Sequence, residues 1–156
     1  MYLDTKEYVE ILRELTEEGR EVRLQIAGNS MYPFLRDRRD TVFFARPRTP
    51  LKPGDVVFYQ RAGGQFVLHR ICRIHGRMLY LAGDAQTELE GPVPEKAVFA
   101  RVTHVLRKGK DLRPGTAYWS FYSCFWRRCR PVRRQLLSLY SLLKSAFSGT
   151  PKRRTP

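Results

Sequence analysis

Acidic residues almost vanish from the last third of this chain. Of its 15 Asp and Glu, only Asp111 lies beyond residue 106, against 13 of the 29 Lys and Arg. Residues 107–156 therefore carry a local charge of +12, while residues 1–106 are nearly balanced. The net charge of +14 thus describes the tail and not the main domain. It excludes a uniformly basic domain and points residues 107–156 toward something anionic. Cysteine is also scarce. Cys72, Cys124 and Cys129 are odd in number and show no Cys-x-x-Cys spacing, which argues against a disulfide framework and against a zinc site. They read as free thiols in a reducing compartment. No apolar run approaches the roughly 18 residues of a membrane span. The longest apolar-aromatic stretch, Ala117 to Trp126, ends at Arg127-Arg128. Residues 1–20 have no apolar leader core. The cytoplasm is the expected location, with peripheral contact at the inner membrane face as an extension of it.

The rest of the composition is ordinary. Apolar residues make up 42% of the 156 positions, enough for one modest core. Asp4 followed by Glu7 resembles a capping box, Tyr8, Ile11, Leu12 and Leu15 recur at helical spacing, and Gly19 follows as a C-cap. An amphipathic helix is predicted over 5–18. Val22, Leu24 and Ile26 then alternate with polar residues, which is strand periodicity. Short apolar runs follow at 41–45, 56–60, 66–74, 78–82 and 98–106. Turn signals fall at Pro53-Gly54-Asp55, Gly63-Gly64, His75-Gly76 and Gly91-Pro92. The fold class predicted is mainly β: a coiled antiparallel sheet or partial barrel over 21–110, after an N-terminal helix over 1–20. Residues 111–149 read as an aromatic and basic appendage. Its helix starts at Pro131 and gathers Val132, Leu136, Leu139, Tyr140, Leu143 and Phe147 on one side. Residues 150–156 read as disordered.

Three short segments hold residues with chemistry. In Gly28-Asn29-Ser30-Met31-Tyr32-Pro33 a strand ends in a turn that holds a hydroxyl beside backbone N–H groups, a plausible oxyanion hole. In Val67-Leu68-His69-Arg70-Ile71 a histidine lies inside an apolar strand. In Leu81-Ala82-Gly83-Asp84 a carboxylate follows glycine at a strand end. Each alone has a plain structural reading: a loop serine, a core histidine, a turn aspartate. Together they supply what a serine nucleophile needs, a base within reach and a third group to hold it. His75 and His104 read as surface or turn histidines. Arg70 reads as the structural partner of an acid, Asp55 as a turn cap, and Asp37 and Asp40 as hairpin-shaping residues.

From about Ile26 to Arg107 these boxes resemble, in order, those of the signal peptidase I and LexA-type serine peptidase superfamily. Ser30 stands in the nucleophile box, Leu51 to Val57 looks like the Gly–Asp–Val–Val strand entry, His69 stands at the base position, and Gly83-Asp84 looks like the Gly–Asp box. A histidine followed by arginine is similar to the archaeal, endoplasmic-reticulum and spore-former branch, whose base is His and not Lys. The resemblance implies a Ser30–His69 peptidase with Asp84 preferred, and Glu88 or Glu90 as alternatives, to orient His69. It implies no cofactor and no metal, and an extended peptide substrate of leader type with small residues near the cut. Met31 and Phe34 would lie at the substrate cleft. Gly28 stands where the family's signal peptidases often carry a hydroxyl, so the Ser30 backbone N–H would carry more of the oxyanion role.

The absence of an N-terminal anchor speaks against a secretory role. Two alternatives remain: a catalytically inactive peptide-binding module, supported by Gly28 and the altered Gly–Asp box, and a LexA-type self-cleaving regulator, weakened by the histidine base and the lack of a helix-turn-helix unit. For residues 116–149, docking on the domain or a partner is the favoured reading and an anionic membrane surface the alternative. Nucleic acid has only charge in its favour.

Overall fold

A computed structural model describes residues 5–147, with side chains described for 7–144. The Asp4 cap and the disorder expected at 150–156 lie outside the described residues. The first helix, α1, spans Thr5–Glu17. Gly19, at φ 83°, closes it: Arg20 N–H donates to Leu15 O and Gly19 N–H to Thr16 O. Its buried stripe is rotated from the one expected. Val9, Leu12, Leu15 and Thr16 face the core, while Tyr8 and Ile11 are exposed. Thr16 fits because its hydroxyl donates to Arg13 O.

Strands follow at Val22–Gln25 (β1), Thr41–Ala45 (β2), Val56–Gln60 (β3), Phe66–His75 (β4), Met78–Ala82 (β5), Glu90–Pro94 (β6), Val98–Arg107 (β7) and Lys110–Leu112 (β8). They form one antiparallel sheet in the order β1-β2-β7-β3-β4-β5-β6, with β8 added to β7. The mainly-β expectation holds, and the sheet is open between β1 and β6. Register shifts interrupt four of its ladders, which bends and twists the sheet. Two strands escaped the periodicity argument. β6 contains the Gly91-Pro92 pair read as a turn. Pro92 lacks an N–H, and the edge position, paired only to β5, tolerates that loss. β8 is a short charged segment with no apolar alternation.

Each sheet face has its own core. One face buries Val42, Phe44, Val56 and Phe58 with Met31, Phe34 and Leu35 of the turn region. The other buries Val57, Tyr59, Ile71, Leu79 and Leu81. Consecutive residues of β3 therefore enter different cores, as strand pleating requires.

The segment after β8 differs from the expected appendage. A short helix, α2 (Ala117–Ser120), begins at Thr116, whose hydroxyl accepts from Trp119 N–H. A π-helical turn over Phe121–Trp126 continues it. Trp119, Tyr122 and Trp126 are buried in the same core as Phe34 and Phe44. Only the following helix, α3 (Arg133–Phe147), leaves the body: Leu137 is half-buried against the core, and residues 138–144 are all exposed.

Candidate functional site

β-strand alternation fixes the site's layout. His69 and Arg70 are neighbours on β4 and point to opposite faces. His69 joins the side of Tyr59, and Arg70 joins the side of Phe34.

Arg70 is the hub of the first side. Its guanidinium is buried and forked onto Asp84, with Nη2 to Oδ2 at 2.7 Å and Nε to Oδ1 at 2.9 Å. Its Nη1 donates to Gly54 O at 2.9 Å, and its Cζ sits 4.6 Å from the Phe34 ring centroid. Arg70 thus has the structural acid partner expected of it, and that partner is Asp84. This corrects the role read for Asp84: both its oxygens are taken by Arg70, and it does not hydrogen-bond His69. It acts on the imidazole only as a nearby negative charge.

Ser30 sits exposed in the turn after β1. Met31, Phe34 and Leu35 anchor this turn in the core, and Asp37 receives Gly28 N–H at 2.7 Å. Met31 and Phe34 are 2% and 0% exposed, so they hold the turn and do not line a substrate cleft. The following residues do reach the surface. Tyr32 and Pro33 border an aromatic groove of about 430 Å³ with Arg36, Arg107, Phe125 and Tyr140. The carbonyl of Ser30 accepts from Ala85 N–H at 2.9 Å. It also packs so closely on Gly83 that a Cβ there would lie 2.4 Å from it, inside van der Waals contact. The N–H groups of Ser30 and Met31 donate to no acceptor among the described residues.

His69 is 2% exposed. Its Nδ1 lies 3.2 Å from the Tyr59 hydroxyl and 3.7 Å from Glu90 Oε2. Arg61 grips Glu90 through two bonds of 2.6 Å. Of the three carboxylates considered for orienting the imidazole, Glu90 is the one beside it. Burial lowers the His69 pKa to about 4, against the opposing pull of Glu90. Burial and the neighbouring Glu90 carboxylate push the Tyr59 phenol up, and Arg61 holds the Glu90 carboxyl below its usual range. The Tyr59 hydroxyl and His69 Nδ1 share a hydrogen bond whose direction is set by the imidazole tautomer: with the proton on Nδ1, Nε2 keeps its lone pair.

Ser30 Oγ and His69 Nε2 have no hydrogen bond to each other, nor to any other described residue. Arg70 pairs with Ala82, the last residue of β5, and the Ser30 carbonyl packs on Gly83, the next residue.

The loop after Gly83 is clamped from the C-terminal side. Trp126 Nε1 donates to Asp84 O at 2.9 Å. The buried Arg133 donates to Gly83 O at 2.9 Å and to Gln86 O at 2.6 Å, and Arg130 donates to Thr87 O at 2.6 Å. Sequence reasoning missed Tyr59, Arg61, Trp126 and Arg133. The first two stand in β3 and just beyond it with no motif. The last two read as tail residues because nothing local announces their long-range contacts.

His104, expected at the surface, is buried and stacked on Phe43 at a centroid distance of 4.0 Å. Asp55 caps its turn by accepting Lys52 N–H at 3.1 Å. Among the described residues no cluster of His, Cys, Asp or Glu has metal-site geometry, and no helix is long and apolar enough to cross a membrane. No protein-family model, curated protein or solved structure matches the chain.

Proposed function

We propose that this chain is a serine peptidase of the signal peptidase–LexA type, with Ser30 as nucleophile and His69 as general base. The observation that supports the reading is the packing of the Ser30 carbonyl on Gly83, the residue that follows β5, the strand paired with the His69-bearing β4. A hydroxyl exposed at the end of an anchored turn, two unused N–H donors beside it and an imidazole with an open Nε2 are the parts acyl transfer needs.

In this reading Ser30 Oγ attacks the scissile carbonyl while Nε2 takes its proton. The Ser30 and Met31 N–H groups stabilise the oxyanion. The imidazolium then returns the proton to the leaving amine, and water, deprotonated by the same nitrogen, hydrolyses the acyl-enzyme. In this reading Tyr59 accepts from Nδ1–H, which leaves Nε2 to act as base, and the Glu90 carboxylate partly offsets the cost that burial puts on the imidazolium. The Ser30–His69 bond, unmade in the free protein, forms when substrate arrives. The substrate is an extended leader-like peptide that passes Tyr32 and Pro33.

The unmade Ser30–His69 bond is what favours the second reading, a peptide-binding module of the same fold without chemistry. Intact-mass spectrometry separates the two. Wild type incubated with leader-type peptides should form cleavage products and a transient acyl adduct on Ser30, and Ser30→Ala neither. His69→Ala should lower the rate on the order of 10²–10⁴-fold. Peptide binding with no adduct and no cleavage in wild type supports the inert module and overturns the peptidase.

A further inference from the structure

The helix α3 carries an apolar stripe that stays exposed among the described residues. Leu136, Leu139, Tyr140 and Leu143 recur at i, i+3, i+4 and i+7, the spacing of one helix face. In a water-facing helix that face normally packs on a core. Here all four are exposed, Leu139 at 54% and Tyr140 at 50%. The stripe does not stop at the helix. Leu136 and Tyr140 border the same groove as Phe121 and Phe125 of the π-helical turn, and Phe125 is 57% exposed. Helix and turn together present one apolar-aromatic surface, which ends at Tyr32 and Pro33 beside Ser30.

Charge decides what can cover it. Lys144 is exposed on α3, Arg128 is exposed just beyond the π-helical turn, and Arg36 and Arg107 border the groove. From Leu112 to the last residue the sequence has no acid. A second copy would bring the same basic face against this one, and like charges would oppose the contact. An apolar stripe with aromatic side chains and flanking Arg and Lys, with no carboxylate, matches the headgroup–acyl boundary of an anionic bilayer. We propose that the surface formed by Phe121, Phe125, Leu136, Leu139, Tyr140 and Leu143 is a peripheral docking site for anionic phospholipid membrane, holding the Ser30 turn at the interface. The lipid contact itself does not depend on the peptidase reading. Only its consequence, a site presented to membrane-proximal peptides, rests on it.

Sedimentation of the full chain with phosphatidylglycerol–phosphatidylcholine vesicles tests this, with pure phosphatidylcholine vesicles as the comparison. Binding is expected to the anionic vesicles, at least tenfold stronger than to the neutral ones and weakening as salt is raised. Leu139→Glu with Leu143→Glu should reduce it at least tenfold. These side chains are exposed, so the circular dichroism of the β domain should stay unchanged. Ser30→Ala should bind as wild type does, so a failed peptidase leaves this result intact. Absence of binding at low salt, equal binding to neutral vesicles, or binding untouched by the double substitution would each overturn the proposal. So would a stable dimer whose association is abolished by the same double substitution.

Discussion

At the residue scale the histidine matters most. An imidazole that is neutral inside the fold and hydrated outside it binds its proton more tightly in the unfolded chain. Between the native value of about 4 and the unfolded value of about 6.5, the unfolded state holds more protons. Stability therefore falls as pH drops through that window and levels off below it. A difference of this size corresponds to about 3 kcal/mol. Urea midpoints measured from pH 7 to pH 4 should show this slope in wild type, and His69→Asn should remove most of it. In the proposed peptidase the same group would set the rate profile. With His69 as base, kcat/KM should rise around pH 4 and be level by about pH 6. A limb centred near 6.5 would mean an imidazole hydrated like a free one, and the buried arrangement with Tyr59 would then be wrong for the working enzyme.

At the element scale, the loop that follows β5 couples the serine turn to the rest of the fold. Asp84 neutralises Arg70 where neither meets solvent. Removing one partner of a buried pair strands the other, at a cost of about 3–5 kcal/mol. Asp84→Ala should lower the urea midpoint accordingly. Had Asp84 been the orienting group of the histidine, the same change would lower activity and leave stability nearly intact. Gly83→Ala inserts a methyl where the Ser30 carbonyl already sits. Overpacking of this kind costs about 1–3 kcal/mol. It should also displace the Ser30 turn from Gly83, so in the proposed peptidase labelling of Ser30 by an acylating peptide should fall together with the midpoint.

At the scale of the whole molecule, the boundary between body and projection lies within α3 and not at the start of the aromatic segment. Trp126 is buried, and its indole N–H holds Asp84 O. Trp126→Ala should cost about 3–5 kcal/mol. Deleting residues 116–156 removes Trp119, Tyr122 and Trp126 from the core and should abolish cooperative unfolding. Deleting 138–156 removes only exposed side chains among those described and should leave the unfolding transition nearly unchanged. Calorimetry of the two truncations distinguishes them. Equal transitions would show that the aromatic segment is dispensable to the core.

The sequence by itself determined the local structure. Short apolar runs at Thr41–Ala45, Val56–Gln60 and Met78–Ala82, bounded by turn residues, set those strands, Gly19 stops α1, and the pairing of Arg70 with an acid follows from the cost of burying a lone charge. These are short-range effects, written within a few residues. Only the tertiary structure decided which acid that is, that Glu90 and not Asp84 stands beside His69, that Met31 and Phe34 are anchors, and that Arg133 reaches back fifty residues to Gly83 O. Those facts depend on strand order and on which face of the sheet each side chain enters. A pairing between distant strands is set by the packing of the entire core, and no local pattern encodes it.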